Sequence, residues 1–178
     1  MNVVDELKKL SVEEIKDYCT TNTIDASVAM VNISGDFNFS TMVRNANFFG
    51  FRSVYHIANS KRWDKRGSVG THNYTPIYHY SNFDEFIYDA KSKDCCLIGI
   101  ENNIPQFDYK TINLYDYRQY IQNTIFIFGE ENSGLDNTIL EQVDYIMTIP
   151  GYGSVRSLNV GTASGIVMGW QRYLMENS

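Results

Sequence analysis

Proline and cysteine are scarce in this chain of 178 residues, three of each, and glycine reaches only 12. That composition excludes a collagen-like or low-complexity polymer. Cys19 and the adjacent pair Cys95 and Cys96 show no metal-ligand spacing, and neither do the three histidines His56, His72 and His79, so no metal site is expected. The pair lies in the apolar run CCLIGI, which reads as buried thiols in a reducing compartment. No apolar run approaches the length of a membrane span, and the N-terminus MNVVDELKKL is too charged for a signal peptide. The expectation is a cytoplasmic protein with no membrane partner.

Positive charge is also in short supply. Fifteen Lys and Arg face 21 Asp and Glu, a formal charge of −6. The acid excess is spread along the chain, which argues against general attraction to a polyanion. Any nucleic-acid contact needs a local patch, and Lys61-Arg62-Trp63-Asp64-Lys65-Arg66 is the candidate, with Arg52 and His72 as extensions. Trp63 can stack on an unpaired base there, or belong to the core or to a subunit contact.

What is abundant is apolar and aromatic: 43% of residues are hydrophobic, including 13 Tyr and 10 Phe. That suits one domain with a sizeable core. Residues 4–10 suit a short helix, and Ser11 followed three residues later by Glu14 reads as a capping box for a second. The stretch TNTIDAS reads as a linker, so residues 1–26 form a helical arm and 27–178 the main domain. Strands are expected at 27–33, 52–58, 95–100, 124–128 and 145–149. Helices are expected at 38–49, stopped by Gly50, at 81–90 capped by Ser81, near 136–142, and from Ser157 to about Met175, with a short one in the second half of 102–120. Alternation of this kind implies an α/β fold with a mostly parallel sheet and helices on both faces.

In such sheets ligands collect beyond the carboxyl ends of the strands. Two glycine-bearing loops stand there, Gly129-Glu130-Glu131-Asn132-Ser133-Gly134 after Phe128, and Gly151-Tyr152-Gly153-Ser154-Val155-Arg156-Ser157-Leu158-Asn159 after Ile149-Pro150. Neither is a usual nucleotide fingerprint: the second lacks a third glycine and the first has no lysine. That excludes the generic nicotinamide or flavin oxidoreductase. A third region, Asp36 to Asn45, joins polar groups to a helix start, where Asn38 is an N-cap or early helical residue and the stem of Arg44 can reach back.

The three regions, in this order, resemble the signature motifs of the SpoU/TrmH family. The first is carried by Asn38, Arg44, Ala46 and Phe49-Gly50, the second by Gly129, Glu131 and Gly134, the third by Ile149-Pro150 and Ser157-Leu158-Asn159. The similarity runs over about residues 27–174. Ser40, Asn45 and Thr162 depart mildly from the pattern. The resemblance implies a deep C-terminal trefoil knot, an exception to the rule against threaded chains, and a homodimer. It implies S-adenosyl-L-methionine as cofactor and methylation of a ribose 2′-hydroxyl in RNA, tRNA ahead of rRNA.

By the same resemblance Arg44, Asn38, Glu131, Ser157 and Asn159 serve catalysis, while Phe128, Gly129, Glu130, Ile149, Gly153, Ser157 and Leu158 hold the cofactor. RNA contacts fall to Arg44, Arg52, Lys61, Arg62, Trp63, Lys65, Arg66 and Arg156. The bland roles stay open beside these: Asn38 and Ser157 as helix caps, Glu131 as an acid at a helix N-terminus. Open too are a helper protein, and a non-catalytic RNA- or cofactor-binding knot. DNA is not an expected partner.

Overall fold

A computed structural model describes residues 3–31, 37–102, 104–130 and 133–178. After a single turn of tighter helix at Asp5–Leu7, the capping box forms as its sequence requires. The Ser11 hydroxyl accepts from the Glu14 amide at 3.3 Å and the Glu14 carboxylate accepts from the Ser11 amide at 2.8 Å, opening helix α1 (Val12–Thr21).

Seven strands then build one sheet: β1 (Ile24–Val31), β2 (Phe51–Ile57), β3 (Ile77–Tyr80), β4 (Cys96–Ile100), β5 (Thr111–Asn113), β6 (Thr124–Phe128) and β7 (Tyr145–Thr148). Every pairing is parallel, in the order β3-β2-β1-β6-β4-β7-β5. Between them lie α2 (Phe37–Phe49), α3 (Phe83–Ser92) and α4 (Asn137–Gln142), and α5 (Val160–Glu176) follows.

Strand alternation splits the core into two layers. Val28 and Met30, with Phe126 and Phe128, point to one face and pack on α2 and α5; Ala29 and Val31, with Ile125 and Ile127, point to the other and pack on α3 and α4. The central strands are apolar on both faces, as a doubly covered parallel sheet demands. Each fully buried Phe or Ile contributes about 1.5–3 kcal/mol through area removed from water.

Several expectations need correcting. The sheet begins at Ile24, inside the stretch read as linker, because Asp25 is itself a fastener: its carboxylate accepts from the Asn123 amide at 3.0 Å and pairs with Arg52. Asn82, not Ser81, caps α3, its side chain accepting from the Glu85 amide. The short helix of the 102–120 stretch lies in its first half, at Pro105–Lys110, where proline suits a first helical turn. The edge strands β3 and β5 were not anticipated. Both are short and only half-buried, so neither carries the apolar run that marks an inner strand.

The segment before β6 lies across α5. The Trp170 indole N–H donates to the Tyr117 carbonyl at 3.0 Å, and Tyr115 meets the same ring edge-on at 6.0 Å. Helices α2 and α5 approach closely. A side-chain carbon on Gly161, Gly165 or Gly169 would sit 3.0–3.3 Å from Thr41, Asn45 or Phe49 respectively, so glycines at every fourth residue of one helix receive the side chains of the other. Among the described residues no helix is long and apolar enough to cross a membrane.

Candidate functional site

The carboxyl ends of β4, β6 and β7 lie side by side in the sheet, and their loops meet over a cleft of about 80 Å³. The described ends of the loop after β6 meet, and two glycines make that approach possible. Gly134 takes a left-handed φ of 63° and its amide donates to the Glu130 carbonyl at 2.8 Å. A side-chain carbon on Gly129 would collide with the Gly134 backbone.

Two residues after β4 tie the three loops together. The Glu101 carboxylate accepts from the Leu135 amide at 2.9 Å and the Asn102 amide at 2.8 Å, holding Leu135 at the end of β4. The Asn102 side chain donates to the Ile149 carbonyl and accepts from the Ile149 amide, both at 3.1 Å, copying a strand pairing. Sequence reasoning missed both residues. Their partners are 34 to 47 positions away in the chain, and no local pattern marks them.

Phe128, Gly129, Glu130, Ile149, Ser157 and Leu158 all line the cleft, with Ile100, Glu101, Val160 and Ala163. Gly153 does not. It stands in the exposed 151–159 stretch with open space where a side chain would be. Ser157 lines the cleft but is not the helix cap. That place belongs to Asn159, whose side-chain oxygen accepts from the Thr162 amide at 3.1 Å. The Asn159 side-chain nitrogen donates to Asn38 at 2.9 Å, across 121 residues of chain. Asn38 is buried in the first turn of α2, so this bond joins the first and third motifs. A second tie backs it, with Asn45 donating to the Gly161 carbonyl at 3.0 Å.

Arg44 lies on α2 outside the cleft, exposed and without a hydrogen bond or ion pair among the described residues. Glu131 lies outside the described residues. Arg156 is exposed beside the cleft wall.

The basic run docks on the start of α2. A side-chain carbon on Gly67 would strike the Ser40 hydroxyl, and the Arg66 guanidinium lies over the Phe37 ring at 4.8 Å. Lys61, Arg62, Lys65 and Arg66 are exposed. Arg66 pairs with Asp64 at 2.5 Å, and its hydrogen bonds hold that carboxyl below the usual range.

Two members of the RNA set are placed differently from expectation. Trp63 is half-buried, its ring edge-on to Phe39 at 5.0 Å and to His72 at 5.9 Å, so it packs on the core rather than offering a free face. Arg52 opens β2 at the opposite, amino end of the sheet, paired with Asp25 and donating to Asn123 at 3.1 Å. It cannot extend a patch that follows the carboxyl end of the same strand. Below the patch His56 is buried between Phe39 and His79; burial, then the neighbouring His79, depress its pKa to about 4 and keep it neutral. Among the described residues no cluster of His, Cys, Asp or Glu could hold a metal ion.

Known proteins share this fold. The chain is 25% identical over 147 residues to the tRNA (guanosine(18)-2'-O)-methyltransferase of Aquifex aeolicus, covering 81% of this chain and 67% of that one. Two further curated relatives are covered over 59% and 61% of their length, so the chain spans about three-fifths of those relatives. The crystal structure of the A. aeolicus TrmH/SpoU tRNA modifying enzyme superposes with a TM-score of 0.78 at 22% identity, over 93% of this chain and 83% of that one. The SpoU methyltransferase AviRb of Streptomyces viridochromogenes, solved with AdoMet, gives 0.74 at 18% identity, over 88% and 60%. The shared fold is the helix-flanked parallel sheet with a C-terminal trefoil knot. Residues 25–169, and with them all three motifs, match the SpoU rRNA Methylase family, and the chain belongs to that family.

Proposed function

We propose that the protein transfers a methyl group from S-adenosylmethionine to a ribose 2′-hydroxyl of RNA, with tRNA as the first candidate substrate. The Asn38–Asn159 bond carries this reading, because it fastens the helix that bears Arg44 to the wall of the cleft. The Aquifex relative acts on tRNA guanosine by its name. The family's rRNA description keeps rRNA as the second candidate.

The cleft fits the cofactor in its chemistry. Ile100, Ile149 and Leu158 offer apolar walls to a flat adenine, and the loop backbones after β6 and β7 offer donors and acceptors at the edges. When bound, the cofactor supplies an electrophilic methyl. At about 80 Å³ the cleft is smaller than the roughly 300–1,000 Å³ of ligand pockets. Binding therefore has to displace the 151–158 loop, which is exposed along its whole length.

Arg44 is the catalytic candidate. An arginine is a poor proton acceptor, so its role is to clamp the neighbouring phosphate and the 2′-oxygen, stabilising alkoxide character as it develops. Asn38 and Asn159 hold the helix that presents it, Ser157 borders the cofactor, and Glu131 completes the second motif. Lys61, Arg62, Lys65, Arg66 and Arg156 meet phosphates.

A second copy of the chain is the natural partner. Phe48 is 80% exposed on α2, and Tyr115, Trp170 and Tyr173 line a groove along α5, more apolar surface than water-facing helices usually show. With a net charge of −6, pairing two basic patches, or recruiting a helper protein, compensates for weak attraction to RNA. The cytoplasm is the compartment that suits such a substrate. The test is methyl incorporation from labelled S-adenosylmethionine into tRNA and rRNA separately, with nucleoside analysis. A 2′-O-methylnucleoside is expected; a methylated base, or cofactor binding with no transfer to either RNA, overturns the assignment.

A further inference from the structure

The cleft has a feature that its motifs do not account for. Two carboxylates, Glu101 and Glu130, line it, and none of the described lining residues is a lysine, arginine or histidine. Glu101 stands outside all three motifs, immediately after β4. Its carboxylate cannot swing into solvent, because each oxygen is held by a main-chain amide, Leu135 on one and Asn102 on the other. Each oxygen keeps a further lone pair for another donor or for a positive charge. Gly134 presses on the same group: a side-chain carbon there would collide with the Glu101 carboxylate. The charge is thus fixed in place and partly shielded from water, where its field is screened least.

We propose that Glu101, assisted by Glu130, makes this cleft select for the positively charged sulfonium cofactor over its neutral thioether product. The inference rests on the cofactor reading above and deepens it. Methyl transfer breaks a sulfur–carbon bond, whose electron pair stays on sulfur, and forms a carbon–oxygen bond while the hydroxyl proton leaves to solvent. The nucleoside left in the cleft therefore carries one positive charge fewer than the one that entered. Adenine and ribose are unchanged between the two, so the apolar walls and loop backbones hold both equally. Apart from the transferred methyl itself they differ only in charge, and the Glu101 carboxylate, fixed at the cleft wall, favours the charged species. Glu101 is in this sense a specificity residue, distinct from the residues that meet RNA.

The test compares calorimetric dissociation constants of S-adenosylmethionine and S-adenosylhomocysteine for the full-length protein and for Glu101→Gln, Glu101→Asp and Glu130→Gln. A loosened loop weakens both ligands together and leaves their ratio unchanged, whereas loss of charge moves the ratio. The preference for the sulfonium is expected to fall roughly tenfold in Glu101→Gln, the size of a single charge interaction at intermediate dielectric. It should survive in Glu101→Asp and fall by less in Glu130→Gln. Equal ratios in the natural protein and in both glutamine variants overturn the proposal while the cofactor reading stands. A natural protein that binds neither ligand overturns the cofactor reading itself. If Glu101→Gln does not fold, an unchanged ratio in Glu130→Gln together with no sulfonium preference in the natural protein still refutes the proposal.

Discussion

The amino ends of the strands border a cavity of about 560 Å³, while the carboxyl ends border a cleft of about 80 Å³ that holds two of the three motifs. The larger space is lined by Cys19, Gly50, Tyr78, Lys93 and Asn123 among others, and its charges are neutralised in pairs. Arg52 is tied to Asp25, and Lys93 to Asp89 at 2.6 Å. Its amides are likewise spent on the chain itself, with Asn123 donating to the carbonyls of Lys93 and Asp94. The smaller cleft is lined by the fixed Glu101 carboxylate and by glycines that bring backbone to the surface, and beside it α2 carries Arg44, which has no ion pair among the described residues. Chemistry collects where polar groups are held in place but not used up.

The sharpest way to break this comparison is Arg44→Ala. Methyl transfer is expected to fall about 10²–10³-fold, the cost of losing one preorganised electrostatic contact, while calorimetric cofactor affinity stays within about twofold because Arg44 lies outside the cleft. Near-normal turnover would move the chemistry elsewhere.

Gly129→Ala attacks the cleft itself. Its new methyl would occupy the Gly134 backbone, so the loop must open, with an expected loss of about 1–3 kcal/mol in stability and of measurable cofactor binding. An unchanged melting temperature and affinity would show that the loop is not built as described.

Acid separates the two ends by pH. His56, below the carboxyl-end patch, has its folded pKa depressed from 6.5 to about 4. Its contribution is fully present above 6.5 and is lost as pH falls toward about 4. Asp89, at the amino end, has its carboxyl lowered from 3.8 by Lys93 first and Tyr80 second, so its contribution holds above 3.8 and is lost only below that. Melting temperature should therefore drop between pH 6.5 and 4.5 in the natural protein, and drop less in His56→Phe. Parallel curves for the two proteins would exclude His56 as the cause.

The smallest effect is expected from Arg52→Ala. Its pair with Asp25 is about two-fifths exposed on each side, which limits the cost to about 1 kcal/mol or less. Methyl transfer should not change; a loss of RNA affinity would return Arg52 to the RNA-binding surface.

Much of the fold was legible from local pattern. The run Thr124–Phe128 forms a strand with the bounds its β-branched and aromatic residues suggest, and Ser11 with Glu14 makes the capping box that their spacing announces. Errors cluster where two good candidates stand close together. Ser81 and Asn82, or Ser157 and Asn159, are all competent caps, and in the second pair a tertiary partner marks the one used: Asn159 is held by Asn38. The close packing of α2 on α5 at Gly161, Gly165 and Gly169 was not anticipated, although their four-residue spacing is a sign of it. Trp63 misled because a tryptophan amid cations looks the same whether its ring faces solvent or Phe39.

By itself the sequence determined the family, through three ordered motifs, and the parallel α/β architecture, through strands that alternate with helices. Those are properties of neighbouring residues and of period, which local sterics and burial enforce. Tertiary structure alone decided that Glu101 and Asn102 clamp the cleft, that Asn38 meets Asn159, and that Arg52 stands at the opposite end of the sheet from the basic run, tied to Asp25. Each depends on residues tens of positions apart, 121 of them for Asn38 and Asn159. Hydrogen bonds of about 3 Å between such residues exist only once the sheet has set its strand order.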